Sequence, residues 1–332
     1  MGSKFRLQPK HGILAEDSES LVFETYVECS FDRISECGNI YGITILNLTK
    51  SKAPYLKLVT YKDAEHFLSR CEKWLLERSD IHNLMYSAAI LISRESPVFD
   101  GPYWFGAIEN DKGDIVACGN YNSPDGLYIS EIPECMLGAV HRSLVETVGV
   151  PHRIMAPRVT AKRLADQCSD TNGVCGRLQA RWHTYRCDKL IWPVSDVAGE
   201  LRNGRDDDED LIARWGHWFG EEQPAPVDAS EYMLRKLSEG DLYVWDDVGA
   251  KTVLSLSGRA GKGIRISGVY TPPEFRGSGY AAAAVAALSQ AQLSNGRDFI
   301  VLSVTDGSSA ELLYQRLGFR LVGSRDCILI NN

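Results

Sequence analysis

Two glycines stand where a strand runs into a helix, in the segment Arg276-Gly-Ser-Gly-Tyr-Ala281. Glycine adopts positive φ and lets a ligand approach the backbone, where a Cβ would obstruct it. The N–H groups of such a turn converge, and the helix N-terminus adds partial positive charge. The segment therefore predicts a cradle for a diphosphate. The alanines that follow, up to Leu288, would let this helix pack tightly on a sheet.

Two common nucleotide-binding motifs are missing from the sequence. There is no GxGxxG followed by an acidic residue, which disfavours a nicotinamide-binding turn. There is no GxxxxGK[ST] either, which excludes that triphosphate loop. Because a single GxG is common at tight turns, the cradle needs a second signal.

The second signal is the segment Ala310-Glu-Leu-Leu-Tyr-Gln-Arg-Leu-Gly-Phe319, which follows after one helix and one strand. Its Tyr314 carries a phenol of pKa about 10, which is a proton donor at neutral pH. On helical spacing alone, Tyr314 is a packing aromatic more often than an acid.

Together the two segments resemble the signatures of the GNAT superfamily of acyl-CoA-dependent N-acyltransferases. Arg276, Gly279 and Ala281 fit the pattern [QR]-x-x-G-x-[GA], and the second segment is similar to A-x-x-L-Y-x-x-x-G-F. The resemblance covers roughly residues 200–330. The phrase around the cradle resembles a subgroup with an additional, degenerate GNAT-like N-terminal lobe, and Tyr103-Trp-Phe-Gly-Ala is similar to part of that lobe. The lobe has no second Arg-x-x-Gly-x-Ala turn, so we expect it to act as scaffold and acceptor-pocket wall.

The resemblance implies a site for acetyl-CoA as co-substrate, without a metal. The pantetheine arm would lie along the end of the fourth strand, and the diphosphate would bind the N–H groups that follow. Tyr314 would protonate the departing thiolate. Arg276 would contact phosphate or hold the turn. The cofactor-binding residues predicted in this way are Val269, Tyr270, Thr271, Arg276, Gly277, Ser278, Gly279, Tyr280, Ala281 and Ser309.

The sequence departs from the family where many members place an asparagine and this chain has Gly307. Ser308 or Ser309 would bond the cofactor there, or cap the next helix. Asp306 ends the fifth strand at the mouth of the expected site, which makes it a candidate base or amine-binding group.

The general base is otherwise open. All seven histidines precede the main strands of the C-terminal domain, so we expect no histidine base in its sheet. Asp246 and Asp247 suit an exposed turn, and Glu231 is a weak alternative. Tyr243 and Trp245 would line the acceptor pocket or pack in the core. Cys327 has no neighbour that would lower its pKa, so it is expected to be a buried thiol.

The elements that position these residues form a mixed α/β domain. After a linker at 193–199, the pattern predicts β-α-α-β-β-β-α-β-α-β-β, ending in separate strands at 319–322 and 327–330. The expected fold is a mixed, mostly antiparallel sheet of the GNAT type, in tandem with the N-terminal lobe. The predicted division is an extension at 1–55 with one or two strands, a degenerate lobe at 56–192 and an acyltransferase domain at 199–332.

The composition of the 332 residues is that of a globular protein. A net charge of −8 without a basic run argues against nucleic acid and anionic membranes as partners. No run approaches the roughly 20 apolar residues of a membrane span, and no secretory signal is evident. Nine scattered cysteines without CxxC predict free thiols, no zinc site and a cytoplasmic location.

The expected function is therefore an acetyl-CoA-dependent N-acyltransferase that acts on a small-molecule amine by direct transfer in a ternary complex. The alternative is a non-catalytic acyl-CoA sensor or scaffold. Other acyl-CoA chemistry, such as O-acylation or condensation, is a third possibility. The oligomeric state is not predicted.

Overall fold

The computed structural model describes the backbone of residues 24–28 and, in full, residues 55–94, 101–191, 197–224 and 226–331. The strand expected at 41–48 and most of the linker expected at 193–199 lie outside these ranges. The first strand of the extension is present as β1 (Glu24–Glu28).

The N-terminal half alternates strands and helices in a fixed order: one strand, two helices, three strands, then helix, strand, helix, strand. In order these are β2 (Tyr55–Tyr61), α1 (Ala64–Glu77), α2 (Ser79–Ser93), β3 (Trp104–Glu109), β4 (Ile115–Asn122), β5 (Gly126–Ile129), α3 (Leu137–Val148), β6 (Arg153–Ala156), α4 (Arg158–Asn172) and β7 (Cys175–Cys187).

The C-terminal half repeats that order, as the tandem arrangement predicts. Its elements are β8 (Glu200–Asn203), α5 (Glu209–Glu221), α6 (Ser230–Ser238), β9 (Leu242–Asp246), β10 (Ala250–Ala260), β11 (Gly263–Tyr270), α7 (Tyr280–Ser294), β12 (Phe299–Thr305), α8 (Ala310–Arg316) and β13 (Arg320–Asn331). Each half contains one parallel pair, β5–β6 and β11–β12, and the other pairings are antiparallel. The predicted fold class is confirmed.

Local signals explain several helix ends. The Asp63 carboxylate accepts the His66 N–H at 2.9 Å and caps α1. Asp208, in the acidic run before α5, accepts the Arg205 N–H at 2.8 Å and binds Arg202. Gly240 ends the segment after α6 with φ +71°, in the left-handed region that glycine favours.

The two halves share one sheet because they exchange their last strands. Within the described residues the strand order is β1-β2-β3-β4-β5-β6-β13-β7-β12-β11-β10-β9-β8. Strand β13 lies between the N-terminal half's β6 and β7, and β7 pairs with the C-terminal half's β12. The main-chain ladder therefore crosses between the halves.

The two strands expected at 319–322 and 327–330 form the single strand β13, so that prediction was wrong. The segment Gly323-Ser324-Arg325 between them stays extended because it pairs with β7. A register shift between Leu321 and Gly323 absorbs the irregularity.

The sheet divides the core of the C-terminal half into two clusters, one on each of its faces. Ile264, Ile266 and Leu302 pack with the alanines of α7 in one cluster. Met233, Val253 and Tyr270 pack with α5 and α6 in another cluster. Trp245 belongs to the α7 cluster, donates its indole N–H to the Ala198 carbonyl at 3.0 Å and has Tyr243 beside it, so both rings pack in the core.

None of the helices in the described part of the chain is both long and apolar enough to cross a membrane. Cys71, Cys118, Cys168, Cys175, Cys187 and Cys327 carry free thiols. Cys135 is disulfide-bonded, which corrects the expectation that all cysteines are free.

Candidate active site

The turn before α7 has the geometry that the glycines predict. Gly277 and Gly279 have φ values of +81° and +86°, both in the left-handed region. The first helical hydrogen bond at this end runs from the Ala283 N–H to the Gly279 carbonyl. The N–H groups of residues 280–282 consequently have no helical partner, and they are the donors that an anion at a helix N-terminus uses.

The space around the two glycines differs. A Cβ on Gly277 would meet no atom within 4 Å, so this position faces open space. A Cβ on Gly279 would lie 3.1 Å from Cγ2 of Val197. Ser278 is exposed between them, and the Tyr280 hydroxyl donates to Asp247 at 2.7 Å. The cradle is thus open to solvent at Gly277, whereas Val197 leaves no room for a side chain at Gly279.

Strands β11 and β12 part beside the cradle. They pair only from Gly263 to Arg265 on β11, opposite residues 299–301, although β11 continues to Tyr270 and β12 to Thr305. A bulge on β11 opposite β10, with Gly268 at φ +60°, breaks the regular pairing there. Backbone groups beyond the fork have no ladder partner across the gap and can bind a ligand laid between the strands.

The predicted pantetheine-binding residues lie at the open end of β11. Val269 packs against the α7 cluster and Tyr270 is buried between Trp215 and Phe219. The Thr271 hydroxyl lies 2.7 Å from the Thr252 hydroxyl. These side chains are anchored, which leaves their backbone groups as the available contacts.

Arg276 is engaged with protein groups. Its guanidinium donates to both carboxylate oxygens of Glu222 at 2.7 and 2.8 Å, and its Nε donates to the Thr271 carbonyl at 2.8 Å. Of the two roles considered, this conformation corresponds to holding the turn.

Tyr314 is 7 % exposed, and its ring centroid lies 6.0 Å from that of Phe319. Its hydroxyl makes no hydrogen bond to another described residue. Burial raises the pKa of Tyr314 to about 12, so the phenol keeps its proton at physiological pH. An uncommitted, protonated hydroxyl is what a proton donor requires.

The start of α8 has one capping contact. Gly307 has φ +78°, which suits glycine at this tight turn. The Ser308 hydroxyl accepts the Ala310 N–H at 3.3 Å, whereas Ser309 makes no side-chain capping bond. Ser309 therefore remains the serine whose hydroxyl is available to a ligand.

Asp306 is 52 % exposed and lies beside a histidine that sequence reasoning excluded. Nε2 of His183 is 3.3 Å from Oδ1 of Asp306, and Arg181 lies 3.7 Å from Oδ2. The exclusion of histidines from the C-terminal sheet was wrong, because β7 belongs to that sheet and pairs His183 with Val304. The sequence carries no signal for this exchange.

Glu311 of α8 completes a group with these two residues. Ligand atoms of His183, Asp306 and Glu311 lie within 4.8 Å of one another, and no other such group occurs among the described residues. His183 lies 3.3 Å from Asp306 and 3.9 Å from Glu311, so the cluster forms a polar link between α8 and β7.

The remaining candidates have other roles. Asp246 binds Arg202 at 2.7 Å and accepts the Gly249 N–H, which confirms the turn, and Glu231 is exposed on α6. Cys327 is buried with its Sγ 3.2 Å from the Gln179 amide oxygen, and burial raises the pKa of its thiol. Such a thiol is a poor nucleophile.

Sequence reasoning also missed Arg265 and Arg325, which lie near the fork. The signal was present for Arg265, since a charged residue interrupts an apolar strand in Ile264-Arg-Ile266.

The chain is similar to known proteins in one sequence segment and in its fold. Residues 260–328 match the family model described as FR47-like protein, and no curated protein matches the chain. A GNAT-family acetyltransferase from Colwellia psychrerythraea is 10 % identical with a TM-score of 0.53, covering 83 % of this chain and 99 % of that one. A Drosophila protein is 10 % identical with a TM-score of 0.55, and the match covers 80 % of this chain and 95 % of that one. A GNAT-family putative acetyltransferase from Novosphingobium aromaticivorans is 21 % identical with a TM-score of 0.37, and the match covers 47 % of this chain and 67 % of that one.

The matched residues contain both signature segments, and the two longer structural matches span both halves. The predicted resemblance is confirmed: the protein has the fold of the GNAT superfamily in two lobes, with an FR47-like segment at residues 260–328.

Proposed function

We propose that this protein transfers an acyl group, most simply acetyl, from coenzyme A to the nitrogen of a small-molecule amine. The observation that carries the proposal is the open cradle of Gly277 and Gly279 directly beside the fork of β11 and β12. A diphosphate on the N–H groups from Gly277 to Ala281 would leave an attached arm free to run between the strands. This layout suits a long thioester carrier better than a compact nucleotide.

Direct transfer within a ternary complex is the simplest mechanism that these residues support. Holding amine and thioester together removes most of the entropic cost of their encounter. A backbone N–H at the bulged end of β11 would stabilise the developing oxyanion. Since Cys327 is a buried, unactivated thiol, the described site supplies no reason for an acyl-enzyme step.

Proton transfers are assigned to two side chains. Tyr314, neutral and buried, would donate to the leaving thiolate, where negative charge develops. Asp306, half exposed at the end of β12, would accept the proton of the incoming ammonium through water. His183 would act as a positioning residue that fixes the Asp306 carboxylate.

The N-terminal half is proposed as scaffold and as part of the acceptor-pocket wall. The net charge of −8 supports a small-molecule partner over nucleic acid or an anionic membrane. The free thiols of the described residues support a cytoplasmic location, with the disulfide of Cys135 as the exception.

The test is thiol release from acetyl-CoA in the presence of a panel of amines and alcohols, together with calorimetry of CoA binding. We expect tight CoA binding and amine-dependent release. CoA binding without release for any acceptor would identify the sensor alternative instead, and release only with alcohols would identify O-acylation. Absence of CoA binding would overturn the proposal.

A further inference from the structure

Three arginines from both halves of the chain surround one tyrosine. Electrostatic interactions connect Tyr128 of β5 with the guanidinium groups of Arg153, Arg265 and Arg325 and with the carboxylate of Asp125. The arginines belong to β6, β11 and β13, so the strand exchange is what brings them together.

Each guanidinium has a donor without a partner. Nη1 of Arg265, Nε of Arg325 and Nε of Arg153 are shielded from water and make no hydrogen bond. Nε of Arg265 donates to the Ser257 hydroxyl at 3.0 Å, and the two Nη atoms of Arg325 donate to the hydroxyls of Thr184 and Ser303 at 2.9 and 3.2 Å. Buried polar groups are normally satisfied, so three orphan donors at one point indicate a missing acceptor.

The charge of the cluster is also unbalanced. Three guanidinium groups interact with Tyr128, whereas the carboxylate of Asp125 interacts with only two of them, Arg153 and Arg265, and burial raises its pKa. Burial lowers the pKa of Arg325 to about 10, so this guanidinium stays charged at neutral pH, and burial lowers the pKa of Arg265 as well. The three arginines are partly buried, and positive charge that is partly withdrawn from water without a counter-ion is costly unless an anion shares the site.

The cluster lies at the base of the gap in the sheet. Arg265 is the last residue of β11 that pairs with β12, opposite Val301. Arg325 donates to Ser303, which lies further along β12 where the strands have parted, and to Thr184 of β7. The two arginines therefore lie at the fork of β11 and β12, next to the place where the thioester of a cofactor bound between the strands would lie.

The cluster is on the face opposite α7. Ile264 and Ile266 flank Arg265 and pack with α7, so alternation along the strand places Arg265 on the other face. On that face Tyr232 of α6 contacts Ser267, and Asn83 of α2 donates to the Gly258 carbonyl at 2.6 Å. Since α7 and α8 cover the cofactor side, the opposite face is the side from which an amine can reach the thioester.

We propose that the acceptor is an amine that also carries a carboxylate, and that Arg265 and Arg325 bind this carboxylate while the amine points into the gap between β11 and β12. The inference rests on the proposed N-acyltransferase function and names its substrate class. Guanidinium groups bind carboxylates with paired, charge-assisted hydrogen bonds, which would satisfy the orphan donors. Asp125 disfavours a doubly charged phosphate at the same point.

Matched amine pairs test the substrate class. We expect acetyl transfer to glycine, L-phenylalanine or L-lysine to exceed transfer to methylamine, phenethylamine or cadaverine by about a hundredfold in kcat/KM, because unpaired buried donors reject the analogue that lacks their partner. Phosphoethanolamine against ethanolamine forms the phosphate arm. A preference for phosphoethanolamine over every carboxylated amine would overturn the proposal in favour of a phosphate.

Arg325→Gln and Arg265→Gln test the residues. We expect each to lower kcat/KM for the carboxylated amine by about thirtyfold or more, with little change for its decarboxylated partner or in the KM for acetyl-CoA. Arg320→Gln, on the same strand with 67 % of its side chain exposed, is the control and should change nothing. Because each variant removes uncompensated charge, the melting temperature without ligand should hold or rise, whereas loss of a purely structural arginine would lower it.

Binding separates failure of the inference from failure of the proposed function. If decarboxylated amines are acetylated equally well, the carboxylate site is wrong and the enzyme remains. If no amine is acetylated although CoA binds, the function is wrong. Glycine and L-phenylalanine should then still raise the melting temperature of the wild-type CoA complex but not of Arg325→Gln. Equal shifts in both proteins, or none, would overturn the carboxylate site.

Discussion

Nε2 of His183 lies 3.3 Å from Oδ1 of Asp306, and Nδ1 of the same ring lies 2.7 Å from the Ser324 hydroxyl. Both ring nitrogens therefore have partners, so the imidazole has no free nitrogen with which to accept a substrate proton. The carboxylate of Asp306 is half exposed and has an oxygen that is 3.7 Å from Arg181, beyond hydrogen-bond distance. The exposed carboxylate is thus the available proton acceptor, and the histidine positions it.

Asp306→Asn removes that acceptor without changing its shape. We expect kcat to fall about ten- to a hundredfold, in the range of general-base effects, with the KM for acetyl-CoA unchanged. Asp298→Asn is the matched control, since Asp298 immediately precedes β12 and its side chain is 57 % exposed. Steady-state kinetics measure both, and equal kcat in the two variants would remove Asp306 from the mechanism. For His183→Gln we expect a smaller loss of kcat, because the Asp306 carboxylate remains but is no longer held in place by the imidazole.

The segments nearest the cradle could be predicted because their signals are local. Glycine at positions 277 and 279 indicates a backbone with positive φ, and Tyr314 lies within a short sequence pattern on one helix. The contacts of Arg276 could not be predicted, since Glu222 is 54 residues away and equally suited to solvent. A family pattern gives a residue's position, whereas its rotamer depends on distant neighbours.

The strand exchange is the feature that sequence reasoning could not reach. Strand β13 has the same hydrophobic pattern whether it pairs within its own half or between β6 and β7, because periodicity does not identify a partner. For this reason the contacts of His183 and Arg325 with the other half could not be predicted from the sequence. Each belongs by sequence to one half and contributes to a cluster built by both.

Gly279→Val tests the cradle. Valine is strained at φ +86°, and its Cβ would press on Val197 and crowd the N–H groups that precede α7. We expect the Kd for CoA to rise at least tenfold, measured by calorimetry. Gly296→Val is the control, because Gly296 follows the other end of α7 with the same φ of +86° and open space around it.

Both valine variants should lose about 1–3 kcal/mol of unfolding free energy from backbone strain. Only the variant in the cradle should lose CoA affinity. If Gly279→Val is folded and binds CoA as tightly as Gly296→Val does, the diphosphate lies elsewhere.

Tyr314→Phe tests the proton donor. Removing one hydroxyl from a buried ring that makes no hydrogen bond to a described residue should leave packing and CoA affinity nearly unchanged. We expect kcat to fall about tenfold to a thousandfold, because the leaving thiolate loses its donor. Tyr185→Phe is the control: Tyr185 is 3 % exposed in the same core cluster, and its hydroxyl binds Gln315 instead. If the Tyr314→Phe enzyme is as active as Tyr185→Phe, Tyr314 is not the proton donor and only packs in the core.

His82 of α2 gives the fold a predictable sensitivity to acid. Its ring stacks on Trp74 with centroids 4.5 Å apart, and its Nδ1 is shielded from water without a partner. Burial, with a smaller contribution from Arg78, lowers the pKa of His82 to about 4. The unfolded chain has an ordinary histidine pKa near 6.5. The unfolded state therefore takes up a proton first as the pH falls, and stability is lost between about pH 6.5 and 4.

His82→Gln should flatten this dependence. Losing the stacked ring should lower the free energy of unfolding at pH 7.5 by about 1 kcal/mol. Because glutamine does not titrate, this difference from wild type should shrink as the pH falls and change sign before pH 4.5. Urea denaturation across this range measures both, with His217→Gln, 54 % exposed on α5, as the control. A constant difference at every pH would show that His82 is not the acid-sensitive group.

Since the neighbouring Asn83 links α2 to the Gly258 carbonyl, we expect acid to loosen the contact between the halves. CoA-dependent activity and stability should therefore decline over the same pH range.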